Sequence, residues 1–570
     1  MLEDKDLVSI QEVRGKVELA YAAWLKYRAF SQEQVDQVVE GMATASRANA
    51  RRLAELAVEE TGYGNAKDKL TKNLLAAVLL PRRMRGMKTI GVIRELPDSQ
   101  IVEIAVPAGV VAAILPTTNP TSTAIYKVLI SLKAGNAIVL SPHPSARRCT
   151  CETASVLERA AVQAGAPVGL VQCIAGPTLE ATEALMRHKR TGVILSTGGH
   201  GIVKAAYSSG KPAFGVGPGN VPVLIDKSAD IPDAVAKVVA GRTFDYGTLC
   251  SSEQAVVAET AIRDAIAAEL KAQKAFFCDD AQKHLLARLL LAPNGALNPK
   301  CVGQAAPKTA RMAGFNVPDD TSVLAAHLDG VGREHPLSAE KLSPVLSLYF
   351  KKDFAECLDV CEALLRFGGL GHTSVIHSRD DARIREFGLR MPSMRVLVNT
   401  SSPQGSTGIT TDLFPAMTLG CGALAGNITG DNIGPRHLFN IKRVARAVRK
   451  PEEAWGVADE EKPVEVDRKQ IADAVERYLG KRGMGPARPR HVAAEVVDRF
   501  LAARGAPAPP TPAPVPPVAV PPELVDFVCE DDVRKAIRDN RKIYIRAKTI
   551  VTPSARDLGR SGDILVLAER

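Results

Sequence analysis

Aromatic residues are scarce in this chain: among 570 residues there are 2 Trp, 9 Tyr and 14 Phe. Surfaces that bind nucleic acid interleave basic side chains with aromatics that stack on bases. No such interleaving occurs, so nucleic acid is not an expected partner despite a net charge of +10. No apolar run reaches the roughly 18 residues that cross a bilayer, and no signal peptide opens the chain. A cytoplasmic location without membrane contact is therefore expected. Ten cysteines are present, but none forms a Cys-x-x-Cys pair and no Cys/His cluster has zinc spacing. No metal site is expected, and the thiols should be reduced. A G-x-G-x-x-G dinucleotide fingerprint after a strand is also missing.

What is present is ordinary globular composition, 46% hydrophobic and 24% charged. The length is too great for one core, so two or more domains are expected. Residues 1–90 read as helical: Val13, Val17, Ala20, Ala23 and Trp24 keep helical spacing, and a long helix is expected over about Gln32 to Glu60. From Ile101 the pattern changes. Apolar runs at 109–115, 137–141, 169–174 and 192–196 alternate with helices such as Ala124–Lys133 and Ala146–Ala164. That alternation predicts an α/β fold with a parallel sheet and a ligand crevice at the carboxyl ends of its strands. Residues 227–430 repeat it as a second α/β unit. Cys357 and Cys361, four apart on a predicted helix, suit one core face. The positive balance fits ligands rich in phosphate.

Cys250 stands in Phe-Asp-Tyr-Gly-Thr-Leu-Cys-Ser-Ser-Glu-Gln, residues 244–254. The Ala/Glu-rich stretch after it reads as a helix. A thiol just ahead of a helix N-terminus is favoured as thiolate, the nucleophilic form. Upstream, Phe214-Gly215-Val216-Gly217-Pro218-Gly219-Asn220-Val221-Pro222 is a glycine-rich turn feeding a buried strand.

Together these segments resemble the aldehyde dehydrogenase superfamily. Its hydrolytic members carry Glu-Leu-Gly-Gly-Lys-x-Pro at this place, and the Glu activates water. Aligning the proline on Pro222 puts Val216 where that Glu would stand, 34 residues before Cys250. The resemblance therefore points to the CoA-acylating branch, in which a thioester waits for another thiol. Ile114–Ser122, Gly369–His377, Val398–Gly408 and Pro415–Gly420 resemble further family loops, in order, across about residues 5 to 450.

The resemblance implies roles by position. Cys250 is the nucleophile. Its backbone N–H and the Asn119 amide are candidate oxyanion donors, although Thr118 falls where the family's Asn usually sits. His372 is a candidate contact or base for the CoA thiol, or a histidine tied into its glycine loop. Thr197, Gly198 and Gly199 suit a pyrophosphate at a helix start. Gly176, Pro177 and Thr178 form the adenosine-side loop, and Glu340 holds the nicotinamide ribose. The family's adenosine-side lysine falls on Ser141, which leaves NAD or NADP open. The expected cofactor is NAD, with coenzyme A as co-substrate, a short-chain aldehyde as substrate and a homo-oligomeric assembly. A hydrolytic aldehyde or semialdehyde dehydrogenase and a catalytically idle assembly scaffold remain as alternatives.

Expected domains are 1–226 with N-terminal helices and the dinucleotide/CoA-binding unit, 227–430 with the nucleophile, and a closing segment 431–450. Residues 451–504 should hold two amphipathic helices. The first has Asp467 as N-cap with an apolar stripe of Ile471, Val475, Tyr478 and Leu479; the second carries Val492, Val496, Val497, Phe500 and Leu501. An Ala/Pro tract, 505–522, is a semi-extended tether. Residues 523–570 should form a small module with a helix over Asp531–Asn540, a strand over Lys542–Ala547 and Thr552 capping a further helix at Pro553. Each short helix needs a partner surface. The tail resembles segments of bacterial microcompartment enzymes, where such peptides dock cargo to shell proteins. The chain starts at Met1 almost at the enzyme's beginning, so the C-terminal helices are the expected targeting element and the microcompartment lumen the expected location.

Overall fold

A computed structural model describes residues 4–292, 294–455, 468–481, 499, 524–539, 541–560 and 564–567. They fall into two units, Met1–Val448 and Arg449–Arg570.

The larger unit opens with a helix over Lys5–Tyr27, whose Val13, Val17, Ala20 and Ala23 are buried. A second helix, Gln32–Thr61, starts at a reciprocal Ser31–Gln34 capping box and stops at Gly62, which takes φ 68°. Each signal is local and worth about 1 kcal/mol, which is why sequence alone locates both ends. After a hairpin of β1 (Gly91–Leu96) and β2 (Ile101–Pro107) come β3 (Val110–Ile114), β4 (Ala137–Ser141), β5 (Val171–Cys173), β6 (Thr191–Thr197) and β7 (Ala213–Val216). These last five make an all-parallel sheet in the order β5-β4-β3-β6-β7. All residues of β3 and β4 are buried, as unbroken apolar runs must be when helices cover both faces. The strand order reverses direction between β3 and β6, and the carboxyl ends there open a crevice.

The second sheet holds β8 (Val221–Ile225), β9 (Glu253–Glu259), β10 (Phe276–Phe277), β11 (Leu324–His327), β12 (Val345–Lys351), β13 (Gly371–His377) and β14 (Ser393–Val398). Its order is β10-β11-β12-β9-β8-β13-β14, again all parallel. The change of sheet thus falls just before Val221, ahead of residue 227. Cys357 and Cys361 lie buried on the Phe354–Leu364 helix. In the closing segment β15 (Phe439–Ala445) pairs antiparallel with β2, which completes a three-stranded sheet with β1.

Two expectations fail here. The Ala/Glu-rich stretch after Cys250 is the central strand β9, with all seven residues buried. Val256 and Val257 fit a pleated surface between two parallel neighbours, and that burial overrides the helix preference of the flanking Ala and Glu. The thiols are also not all reduced: Cys151 and Cys173 form a disulfide that ties the Arg147–Gln163 helix to the end of β5. The turn into that strand brings the two Cα atoms to 5.5 Å, inside bridging range, although neither belongs to a Cys-x-x-Cys pair.

In the smaller unit a helix runs over Arg468–Lys481, with Val475 and Tyr478 exposed. Its proposed cap Asp467, the second amphipathic helix and the 505–522 tether lie outside the described residues. Beyond it, β16 (Leu524–Val528), the helix Glu530–Arg538, β17 (Ile543–Val551), the helix Pro553–Arg560 and β18 (Leu565–Leu567) form a parallel β-α-β-α-β module. Thr552 accepts the Ala555 N–H at 3.3 Å, the expected cap.

Candidate active site

The crevice of the first sheet widens into a cavity of about 500 Å³. Its walls bring together residues far apart in the chain: Asn119, Ser141, Pro177, Thr178, Thr197, Gly198, Gly199, Val216, Cys250 and Glu340 all line it, as does Thr118. Gly176 lines an adjoining cavity of about 530 Å³ with Lys5, Glu12 and Arg147. His372 is not among the lining residues and is completely buried.

The wall beside the first sheet is made largely of backbone. β6 ends at Thr197, and a helix over His200–Tyr207 starts directly after Gly199, which is its N-cap. A Cβ on Gly199 would project into open space, and one on Gly198 would strike Ile202. Thr178 caps the Leu179–Arg187 helix by accepting the Ala181 N–H at 3.1 Å. Ser141 closes β4, and its hydroxyl pairs with Thr182 at 2.9 Å. Free N–H groups at a helix start and room for backbone to approach fit the phosphates of a dinucleotide. Sequence reasoning did not single out His143, Ile202 and Leu342, which also line the cavity.

The wall around Cys250 is built differently. Its turn contains Asp245 at φ 50° and Tyr246 at φ 52°, two successive left-handed residues that are not glycine. Such a pair costs about 1–2 kcal/mol per residue, so other contacts must hold it. They are the bonds of the Asp245 carboxylate. Its Oδ1 accepts from Asn65 N at 2.8 Å, and its Oδ2 from Lys69 at 3.0 Å, Thr248 at 2.6 Å and Lys72. All of these were missed, because residues 63–73 and 245–248 carry no shared motif. The one local signal is Gly64, where a Cβ would lie 1.9 Å from Asp245 Oδ1.

Gly219 is fixed in the same way: a Cβ there would stand 2.2 Å from the Cys250 carbonyl oxygen and 3.1 Å from the His372 ring. The Gly219 N–H donates to Glu340 Oε1 at 3.1 Å. Burial pushes the Glu340 carboxyl up to about 7. The Cys250 thiol is pushed up to about 12, chiefly by burial and then by Glu340 and Cys421, against the pull of Arg395. This corrects the expected thiolate: with β9 rather than a helix behind it, Cys250 gains no dipole. Burial, with Arg395 nearby, lowers the His372 ring to about 3, so it is neutral. Its Nδ1 lies 3.0 Å from Thr373 Oγ1, and its Nε2 is buried without a partner among the described residues.

The model of the aldehyde dehydrogenase family matches residues 7–278, and an acetylating aldehyde dehydrogenase from Geobacillus thermoglucosidasius superposes with a TM-score of 0.78. That protein is 50% identical, over 79% of this chain and 99% of its own. A propionaldehyde dehydrogenase from the Clostridium phytofermentans fucose utilisation bacterial microcompartment is 28% identical with a TM-score of 0.69, over 77% of this chain and 98% of its own. Fold, site and similarity agree: the chain belongs to the aldehyde dehydrogenase family. The bifunctional aldehyde-alcohol dehydrogenase AdhE of Escherichia coli is 43% identical over 448 residues, 77% of this chain, and the chain spans about half of that relative's length. The chain is thus of the oxidoreductase class, with the nicotinamide chemistry its family implies.

Proposed function

We propose that the protein converts a short-chain aldehyde, CoA and NAD⁺ to acyl-CoA, NADH and a proton. The observation that carries this reading is the cavity lining. Val216, which the alignment on Pro222 sets at the place of the family's water-activating Glu, lines the cavity together with Cys250, and the carboxylate among the described lining residues, Glu340, accepts the Gly219 N–H.

Cys250 Sγ gives its proton to solvent in the cavity and bonds to the aldehyde carbon as the carbonyl π pair moves onto oxygen. The oxyanion meets the Cys250 N–H and the Asn119 amide, preorganised donors of the kind that stabilise such intermediates. As the oxyanion collapses, the former aldehyde hydrogen leaves as hydride. An oxidised nicotinamide held there would supply the hydride acceptor and a positive charge. Thr197, Gly198, Gly199, Thr178, Pro177 and Gly176 would hold the dinucleotide, with Ser141 toward its adenosine and Glu340 toward its nicotinamide ribose. The acyl thioester on Cys250 is then attacked by the CoA thiol, and Cys250 leaves as thiolate. His372, completely buried and outside the cavity lining, fits the alternative of a histidine tied into its glycine loop, and the CoA thiol gives its proton to solvent in the cavity.

The test is the product. With acetaldehyde and NAD⁺, acyl-CoA should form at steady state only when CoA is present. Rapid release of free acid without CoA would refute the reading. A Val216→Glu variant is expected to gain some acid formation without CoA.

We further propose that the enzyme is microcompartment cargo, docked to shell proteins through its C-terminal unit, and self-associates. The microcompartment neighbour and the exposed Val475 and Tyr478 on the Arg468–Lys481 helix support the first point. The exposed Ile441 and Val444 on edge strand β15 support the second. Truncation after Lys450 should keep activity and lose co-purification with shells. Undiminished shell entry would sink the targeting role.

A further inference from the structure

Lys72 is completely buried, on the helix Ala66–Leu74, and no motif of the family resemblance accounts for it. Its Nζ donates to Asn119 Oδ1 at 2.5 Å, to Thr248 Oγ1 at 3.3 Å and to Asp245 Oδ2. Asn119 and Thr248 both line the cavity with Cys250; Lys72 does not.

An amide side chain can rotate to exchange its oxygen and nitrogen, and only the nitrogen can serve an oxyanion. The ammonium removes that freedom, because it can pair only with the oxygen. One hydrogen of Asn119 Nδ2 then goes to Thr118 Oγ1 at 3.0 Å. The other has no acceptor among the described residues.

Charge points the same way. Lys69 and Lys72 share one carboxylate, Asp245, and Lys72 sets its ammonium directly against Asn119 Oδ1. The other ionisable groups facing this cluster are Asp68, which accepts the Asp245 N–H at 2.8 Å, and Cys149 of the Arg147–Gln163 helix, which feels the charge of Lys69. Burying two ammonium groups is costly. The strained Asp245–Tyr246 turn adds to that cost. A structural pin would need neither the second ammonium nor the contact to Asn119. A developing negative charge one amide away would use both.

We propose that Lys72, locked by Asp245, is the positioning residue that fixes the Asn119 amide with its free N–H toward the carbonyl oxygen of the aldehyde on Cys250. This rests on the reading of Asn119 as an oxyanion donor, and the test separates the two.

The measurement is the pre-steady-state burst of NADH with acetaldehyde and NAD⁺, without CoA, in Asn119→Ala, Lys72→Met and the double variant. Asn119→Ala should slow the burst about 10²-fold. Lys72→Met should slow it about tenfold with the KM for acetaldehyde unchanged, and should cost nothing further in the Asn119→Ala background. If Lys72→Met slows both backgrounds equally, the positioning role is overturned while the donor stands. If Asn119→Ala leaves the burst unchanged, the donor reading itself falls, and the inference with it.

Lys72→Arg guards against a folding defect in the methionine variant. Burial, partly offset by Asp245, lowers Lys72 to about 8. Lysine therefore loses its charge as pH rises through that value, whereas a guanidinium does not. The arginine variant should recover most of the burst rate and carry it to higher pH than wild type. An alkaline limb identical to wild type, in a folded arginine variant, would overturn the proposal.

Discussion

The two walls of the cavity solve their tasks by opposite means. The dinucleotide wall, Thr178 and Thr197–Gly199, is made of helix starts and glycines and presents no charged side chain of its own to the cavity. The Cys250 wall is stabilised by buried ions from distant segments: Lys69, Lys72 and Asp245 behind Asn119, with Glu340 and Arg395 around the thiol. Backbone cradles depend on local conformation, so short sequence patterns report them. Ion networks depend on the tertiary fold, so no pattern does. The first wall should therefore respond to substitution with changes in affinity, and the second with changes in rate.

Four substitutions test this division, taken from the largest effect down. Cys250→Ala should remove dehydrogenase activity by at least about 10³-fold with the fold intact, since it deletes the one covalent handle. Activity within tenfold of wild type would end the assignment. Gly219→Ala should lower kcat about 10²-fold and destabilise by about 1–3 kcal/mol, because its methyl must displace the Cys250 carbonyl. Denaturant melts and kcat read both; an unchanged kcat would show that the Cys250 backbone need not be held. Gly199→Val, which fills open space at the helix start, should raise the KM for NAD⁺ about tenfold and leave kcat nearly untouched. A fall in kcat alone would erase the contrast between the walls.

The smallest effect concerns Glu253, which is buried at the start of β9 and accepts the Ser402 N–H at 2.6 Å. Burial raises its carboxyl from 4.5 to about 8. The folded state then holds a proton that the unfolded state releases between those values. Its contribution to stability is present below about pH 4.5 and is lost as pH rises toward 8. Glu253→Gln should flatten this dependence, so that the variant's Tm falls less than wild type between pH 5 and pH 8. Parallel Tm curves would contradict it.

The same division explains what could be read from sequence. The Gln32–Thr61 helix, the β3 to β6 runs and the Thr197–Gly199 turn rest on local capping, unbroken apolar runs and glycine, and all were legible. Strand β9 was misread because Ala and Glu favour helix in isolation, and only its position between β8 and β12 decides otherwise. The Cys250 environment was misread as a consequence. The Cys151–Cys173 pairing was hidden because the fold, not the spacing, brings the two together. Lys72 and Asp245 escaped notice because they are separated by 173 positions.

The most direct test of the central claim is the intact mass of the protein after mixing with acetaldehyde and NAD⁺ without CoA. An acetyl adduct should accumulate on Cys250, persist for many turnover times, and vanish within one turnover when CoA is added. If no adduct accumulates while acetate is released, the protein hydrolyses its thioester and is not a CoA-acylating enzyme.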